Sequence, residues 1–192
     1  MQINANDIRI GNIIDHDNRL WLVLKTMHTQ PGKGGAYMQV EMKDIKNGTK
    51  INIRYRSSET ISKAALNPKD YQILYTDNNN KIFVAMDNNT FEQINLNIDL
   101  ITDEQQRLFI EPEMNIIVEF YNNTPIIVKL PTTVIATVKY CETVIKGQTA
   151  AASYKPATLS NGVRIMVPPF IESGERIIVK IEGCEYIERV KK

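Results

Sequence analysis

The segment Gln30-Pro31-Gly32-Lys33-Gly34-Gly35-Ala36 sets a single lysine among three glycines, behind a proline. Proline fixes φ, and glycine permits backbone shapes closed to other residues. Lys33 therefore has no competing side chain beside it, and its amine is free to be modified or to reach a ligand. A solvated hairpin tip has the same composition, so the residues alone leave both readings open. The segment is not a nucleotide-phosphate loop. That pattern needs a further glycine ahead of Gly-Lys and Ser or Thr after it, and neither Thr29–Pro31 nor Gly34 supplies them. Catalytic templates fail as well: there is no Gly-x-Ser-x-Gly elbow and no His-Glu-x-x-His. Cys141 has no histidine near it in sequence and fits a strand position. With only His16 and His28, a His-rich metal site is excluded. Two aromatic–basic pairs remain, Tyr154 beside Lys155 and Tyr186 close to Arg189, and such pairs can stack on and clamp RNA.

Strands must position these residues. Leu20–Leu24 is an apolar run of strand length. Met38, Val40 and Met42 alternate with polar residues, as do Ile51, Ile53 and Tyr55, around Asn47-Gly48, a tight-hairpin signal. The polar faces of this hairpin carry Lys43, Lys50, Arg54 and Arg56. Further strands are predicted over 71–75, 81–86, 115–121, 126–130, 133–140, 163–167, 176–181 and 186–190, with turns at Asp77–Asn80 and Asn122–Pro125. Thr102-Asp103-Glu104-Gln105 has the form of a capping box and predicts a helix of about two turns, ending at Glu111-Pro112. The stretch 146–160 reads as polar and irregular, while Trp21 and Phe109 read as core. The expected fold is all-β: about three small barrels with one short helix in the middle one. The domains span residues 1–64, 65–128 and 129–192.

Composition bounds the rest. The chain has 192 residues, 43% hydrophobic and 23% charged, which is ordinary for a globular protein. No apolar run approaches the roughly 18–20 residues of a membrane-spanning helix. The N-terminus lacks the basic and apolar regions of a signal peptide. The expected location is cytoplasmic, where Cys141 and Cys184 would be free thiols. Net charge is only +1, but it is unevenly placed. Residues 1–64 hold ten Lys/Arg against six Asp/Glu, residues 65–128 three against ten, and residues 129–192 again ten against six. Two basic ends flanking an acidic middle suggest an oriented surface whose ends face a polyanion.

Three separated motifs resemble bacterial elongation factor P. The loop Pro31-Gly32-Lys33-Gly34-Gly35-Ala36 resembles that family's modification loop, and Met86-Asp87-Asn88-Asn89-Thr90-Phe91-Glu92-Gln93 its middle-domain segment. Lys155-Pro156-Ala157, then Gly162, Ile165, Val167-Pro168, Ile171 and Gly174, resembles its C-terminal signature with every spacing kept. The ending Glu185–Val190 is similar too, so the resemblance spans essentially the whole chain.

The resemblance implies an SH3-like (KOW-like) barrel followed by two OB-fold barrels, in an elongated, tRNA-like body. It implies binding to the ribosome between the P and E sites, next to rRNA and P-site tRNA, and rescue of ribosomes stalled on consecutive prolines. No cofactor is expected, and the chain is expected to be a monomer. Lys33 aligns with the lysine that relatives modify, in some by a β-lysyl group attached by an enzyme similar to lysyl-tRNA synthetase. RNA contacts are expected from Lys43, Arg54, Arg56, Tyr154, Lys155, Tyr186 and Arg189. They are also expected from Gly147 and Thr149, in the loop that relatives direct at the E-site codon. Gln30 stands where many relatives carry Lys, and Gln148 and Ala151 where many carry Asp and Gly. Two other classes fit less well. A generic OB-fold single-stranded RNA binder calls for aromatics interleaved with lysines, and aromatics are only 7% of the chain. A Schiff-base enzyme using Lys33 calls for a desolvated lysine, which a glycine-rich tip does not offer.

Overall fold

A computed structural model describes residues 1–32, 34–77, 79, 81–142 and 154–190. The described chain is all-β, with sixteen strands and three short 3-10 turns but no α-helix. It divides into two compact units. One is Met1–Asn67 with Tyr121–Thr124, and the other is Pro68–Phe120 with Pro125–Lys192.

In the first unit, β1 (Gln2–Asn4) pairs with β6 (Thr60–Ser62). A four-stranded antiparallel meander runs β2 (Ile13–His16), β3 (Arg19–Thr29), β4 (Tyr37–Asp44), β5 (Lys50–Arg56). Its core holds Ile8, Ile14, Trp21, Val23, Val40, Met42 and Tyr55. Trp21 is thus core, as its sequence context predicts. On β4 the inward residues are Met38, Val40, Met42 and Asp44, a strict period of two.

The turn between β4 and β5 differs from the expected two-residue hairpin. Only Gly48 has positive φ, +73°. The loop is longer because buried Asp44 organises it: its Oδ1 accepts from the amides of Lys46 (2.8 Å) and Asn47 (3.2 Å). The Gly48 amide donates to the Asp44 carbonyl (3.0 Å), and the Asp44 amide donates to the Thr49 carbonyl (2.8 Å). The true two-residue turn lies earlier, at Asp17-Asn18, with φ of +52° and +57° between β2 and β3.

The second unit holds two five-stranded sheets. One comprises β7 (Asn67–Asp77), β8 (Ile82–Asp87), β9 (Gln93–Asn97), β10 (Asn115–Tyr121) and β11 (Thr124–Lys129), in the order β11-β10-β7-β8-β9. The other comprises β12 (Thr133–Cys141), β13 (Lys155–Leu159), β14 (Arg164–Val167), β15 (Arg176–Lys180) and β16 (Glu185–Arg189), in the order β14-β13-β12-β15-β16. Numbered within each sheet, both read 3-2-1-4-5, the same topology twice. Asn122 and Asn123, at +48° and +63°, make the expected tight turn between β10 and β11. Asn78 and Asn80 of the other expected turn lie outside the described residues.

The expected helix is instead a 3-10 turn, Gln106–Phe109. Its N-cap is Gln105 and no side chain caps it; the Asp103 Oδ1 accepts from the Gln105 amide at 2.8 Å in the turn just before. Pro112 follows too soon for a longer helix. Phe109 from this turn is 1% exposed and belongs to the core of the last sheet, with Val138, Leu159, Ile171 and Ile177. Residues 155–159, read from sequence as irregular, form β13.

The β8–β9 turn repeats the Asp44 arrangement. Asp87 Oδ1 accepts from the amides of Asn89 (2.8 Å) and Thr90 (3.1 Å). The Phe91 amide donates to the Asp87 carbonyl at 2.9 Å, and the Asp87 amide to that of Glu92 at 2.9 Å. Phe91 takes the place of Gly48, at φ +60°, an uncommon conformation for a bulky side chain.

Candidate nucleic-acid interface

The loop 30–36 is the connection between β3 and β4, whose pairing closes at Thr29 opposite Tyr37. Gly34 adopts φ +113°, a conformation that side chains rarely take. A Cβ on Gly32 or Gly35 would meet nothing within 4 Å, so those glycines are not demanded by packing. Lys33 lies outside the described residues.

The strands that carry this loop present a basic face. Between Val23 and Lys25 the register shifts by one residue, a β-bulge that switches which side chains point outward. Beyond it, cross-strand rows form: Lys25–Glu41–Asn52, Met27–Gln39–Arg54 and Thr29–Tyr37–Arg56, with Lys43–Lys50 at the far end. Lys25, Lys50, Arg54 and Arg56 are exposed, Lys43 half-buried. Glu41 is the one acid in these rows, 3.9 Å from Lys50. The Arg54 guanidinium lies 4.1 Å above the centre of the Tyr37 ring. That cation–π contact holds a long, rotamer-rich side chain in place.

The sequence-predicted contacts Lys43, Arg54 and Arg56 are thus brought together on one face. Lys25 and the positioning role of Tyr37 escaped the sequence reading. Both emerge only from the bulge and the cross-strand register.

Tyr154, just ahead of β13, is 54% exposed. Tyr186 is half-buried on β16, and burial pushes its phenol up, with Tyr154, Glu188 and Glu175 adding to the shift against Arg189. Arg189 is exposed and paired with Glu175 at 3.1 Å.

Lys155 departs from expectation. It is 7% exposed, and its ammonium donates to the Glu142 carbonyl at 2.8 Å. On β13 the odd positions Lys155, Ala157 and Leu159 are buried and Pro156 is exposed, so strand alternation turns Lys155 inward. It is a structural lysine rather than a surface contact. Gly147 and Thr149 lie outside the described residues.

Burial, with Glu59 and Asp17, pushes the Tyr55 phenol up to about 12. Its hydroxyl lies 3.5 Å from Nδ1 of His16, at the edge of the first core. Burial and Asp103 raise the Cys184 thiol, which keeps it protonated at neutral pH. Cys141 is a buried free thiol on β12. Among the described residues, no group of three His, Cys, Asp or Glu could hold a metal ion. No helix among them is long and apolar enough to cross a membrane.

Comparison with known proteins converges on one family. Residues 4–61 match the elongation factor P KOW-like domain, residues 66–128 its OB domain, and residues 134–189 its C-terminal domain. Elongation factor P of Rickettsia bellii is 53% identical over 192 residues, covering 100% of both chains. That of Erythrobacter litoralis is 51% identical over 187 residues, covering 97% of this chain and 98% of the relative. Among solved structures, an initiation factor 5A from Methanococcus jannaschii superposes with a TM-score of 0.49 at 19% identity, covering 68% of this chain and 94% of that one. With three consecutive domain matches and half its residues shared end to end, this chain belongs to the elongation factor P family of translation elongation factors.

Proposed function

We propose that the chain binds the ribosome in the cytoplasm, as a monomer, between the P and E sites, and speeds peptide bond formation at consecutive prolines. The observation that carries this reading is the basic outer face of β3, β4 and β5, which leads directly into the loop bearing Lys33. Phosphate contacts from Lys25, Arg54 and Arg56 position a protein on RNA without reading sequence. Lys33 would then extend toward the terminal end of P-site tRNA. Proline is a poor, rigid nucleophile and a constrained donor. Holding the tRNA end in an attack-ready geometry removes an entropic cost, and orientation of this type is worth several kcal/mol. The factor itself needs no acid, base or cofactor for this.

Lys33 is further proposed to carry a covalent extension, a β-lysyl group added by an enzyme similar to lysyl-tRNA synthetase. A longer arm with additional amine donors contacts more of the tRNA end than a bare ammonium. Peptide mass spectrometry of protein from its native host should place added mass on Lys33, and a stoichiometrically bare Lys33 would overturn the modification.

The decisive experiment is Lys33→Ala. The thermal melt should stay within about 0.5 kcal/mol of the parent, and rescue of a polyproline reporter should be abolished. Full rescue by the variant would refute the role. Co-sedimentation with ribosomes should weaken as salt rises, because phosphate contacts release counterions. Retention independent of salt would count against it.

A further inference from the structure

A single residue beyond β5 ties the root of the loop 30–36. The last matched row of the first sheet is Thr29–Tyr37–Arg56, so β3, β4 and β5 reach the same level, and Ser57 comes next. The Ser57 amide donates to the Ala36 carbonyl at 3.0 Å, which carries the β4–β5 ladder one step into the loop. Its Oγ lies 3.2 Å from His28 Nε2, and the two share a hydrogen bond. In the order β2-β3-β4-β5, strands β3 and β5 are not neighbours, and two strand spacings put them roughly 9–10 Å apart. The Ser57–His28 contact therefore reaches across β4. Through it, the strand that enters the loop is joined to Ala36, the residue by which the loop returns.

Ser57 itself has a fixed base. The Arg56 amide donates to Glu59 Oε2 at 3.0 Å, and the Glu59 amide donates back to the Arg56 carbonyl at 2.8 Å. The Glu59 carbonyl in turn accepts from the amide of buried Ala5 at 2.8 Å. Hydrogen bonds thus run without a break from the first core to the loop root. The loop has need of such a tie. A Cβ on Gly32 or Gly35 would meet nothing within 4 Å, so packing does not hold these glycines, and their backbone freedom is large. The tie also lies off the basic face. Arg54 and Arg56 are exposed, whereas His28 stands in the row His28–Met38–Tyr55, whose other two members are buried. A ligand on the arginines does not compete for His28 or Ser57.

We propose that Ser57, acting through His28 and Ala36, is a positioning residue for the loop that bears Lys33. It sets the direction in which the loop leaves the sheet and touches neither RNA nor tRNA. The proposal rests on the reading that this loop acts at the end of P-site tRNA. Misplacement of a positioning group by about 1 Å can cost on the order of 100-fold in rate. Affinity comes from the basic face, so loosening the root should lower the maximal rate and spare binding.

Two readouts on the full chain test this. For the first, protein is made in a host that leaves Lys33 unmodified, checked by intact mass, and digested briefly with trypsin. Ser57→Ala and His28→Ala each remove the side-chain contact and keep the Ser57 amide. Each should release the fragment ending at Lys33 about fivefold faster, the worth of one net hydrogen bond, with unchanged melting curves. The double variant should be no faster than either single one, because both remove the same contact. Ser57→Thr keeps the hydroxyl and should restore the parent rate. For the second, protein from the native host drives synthesis of a polyproline peptide over a range of factor concentrations. Ser57→Ala should lower the maximal rate about fivefold and leave the half-saturating concentration within about twofold, and Ser57→Thr should restore it.

Unchanged cleavage at Lys33 in both single variants overturns the tie. Faster cleavage with an unchanged maximal rate overturns the positioning role, and so does a raised half-saturating concentration with the maximal rate intact. A parent protein that neither binds ribosomes nor speeds polyproline synthesis overturns the proposed function instead, while the digestion still decides whether Ser57 holds the loop.

Discussion

Lys155 and Arg54 are both basic residues next to an aromatic, yet they sit in opposite environments. Lys155 is inside its barrel with its ammonium on a carbonyl oxygen. Arg54 is outside, laid over Tyr37. Their alanine variants should therefore separate stability from binding. Lys155→Ala removes a buried side chain together with the donor to the Glu142 carbonyl and should cost about 1–3 kcal/mol. Ribosome binding per folded molecule should be unchanged. Arg54→Ala should melt within about 0.5 kcal/mol of the parent and bind ribosomes more weakly. If the two variants exchanged these phenotypes, the assignment would be wrong. Sequence showed that both residues were basic and near aromatics. It did not show which way Lys155 faced, because that parity depends on β13, which was not visible. The glycine-rich connection between β3 and β4 was legible as a loop, since nothing distant is needed to make a glycine-rich turn, whereas Lys33 itself lies outside the described residues.

The elements were legible where alternation was clean and ends were marked. Met38–Met42 and Ile51–Tyr55 were recognisable, and so were the asparagines between β10 and β11. β13 was missed because Pro156 breaks the expected pattern and small polar residues precede it. β9 was missed because Asn95 and Asn97 dilute its apolar positions, and β1 and β6 because three residues carry too little pattern. The two aspartate-organised turns were invisible for a different reason: the aspartate lies at the end of the preceding strand, not in the turn. Asp87 makes a testable case. The amides of Asn89 and Thr90 hold its carboxyl below the ordinary range, with Lys69 and Tyr71 helping. A lowered folded pKa means stability present above the unfolded value of about 3.9 and lost as pH falls through the lowered folded value. Asp87→Asn keeps an oxygen acceptor for both amides but cannot titrate. In urea melts between pH 7 and pH 3, the parent should lose more stability than the variant. Equal losses would show that this turn does not report on acid.

At the scale of the whole molecule, the second unit is two copies of one sheet topology joined by a side chain. Phe109 comes from the middle domain's 3-10 turn and sits in the C-terminal core, and Leu130 is packed against both cores. Phe109→Ala should cost about 3–5 kcal/mol, and amide exchange should quicken in β12–β16 as much as in β7–β11. Quickening confined to the middle sheet would contradict the shared core. The same ring has a consequence for how the chain is made. A nascent chain that has just completed β11 has no Val138, Leu159 or Ile177 to receive Phe109. At about 5–20 residues per second, the remaining five strands take several seconds to be made, and until then this aromatic has no core to enter. A released chain that ends just past Leu130 should accordingly be cleaved around Phe109 by a protease that leaves the full-length protein intact there. The middle sheet thus keeps an aromatic without its partners until the last sheet has been made.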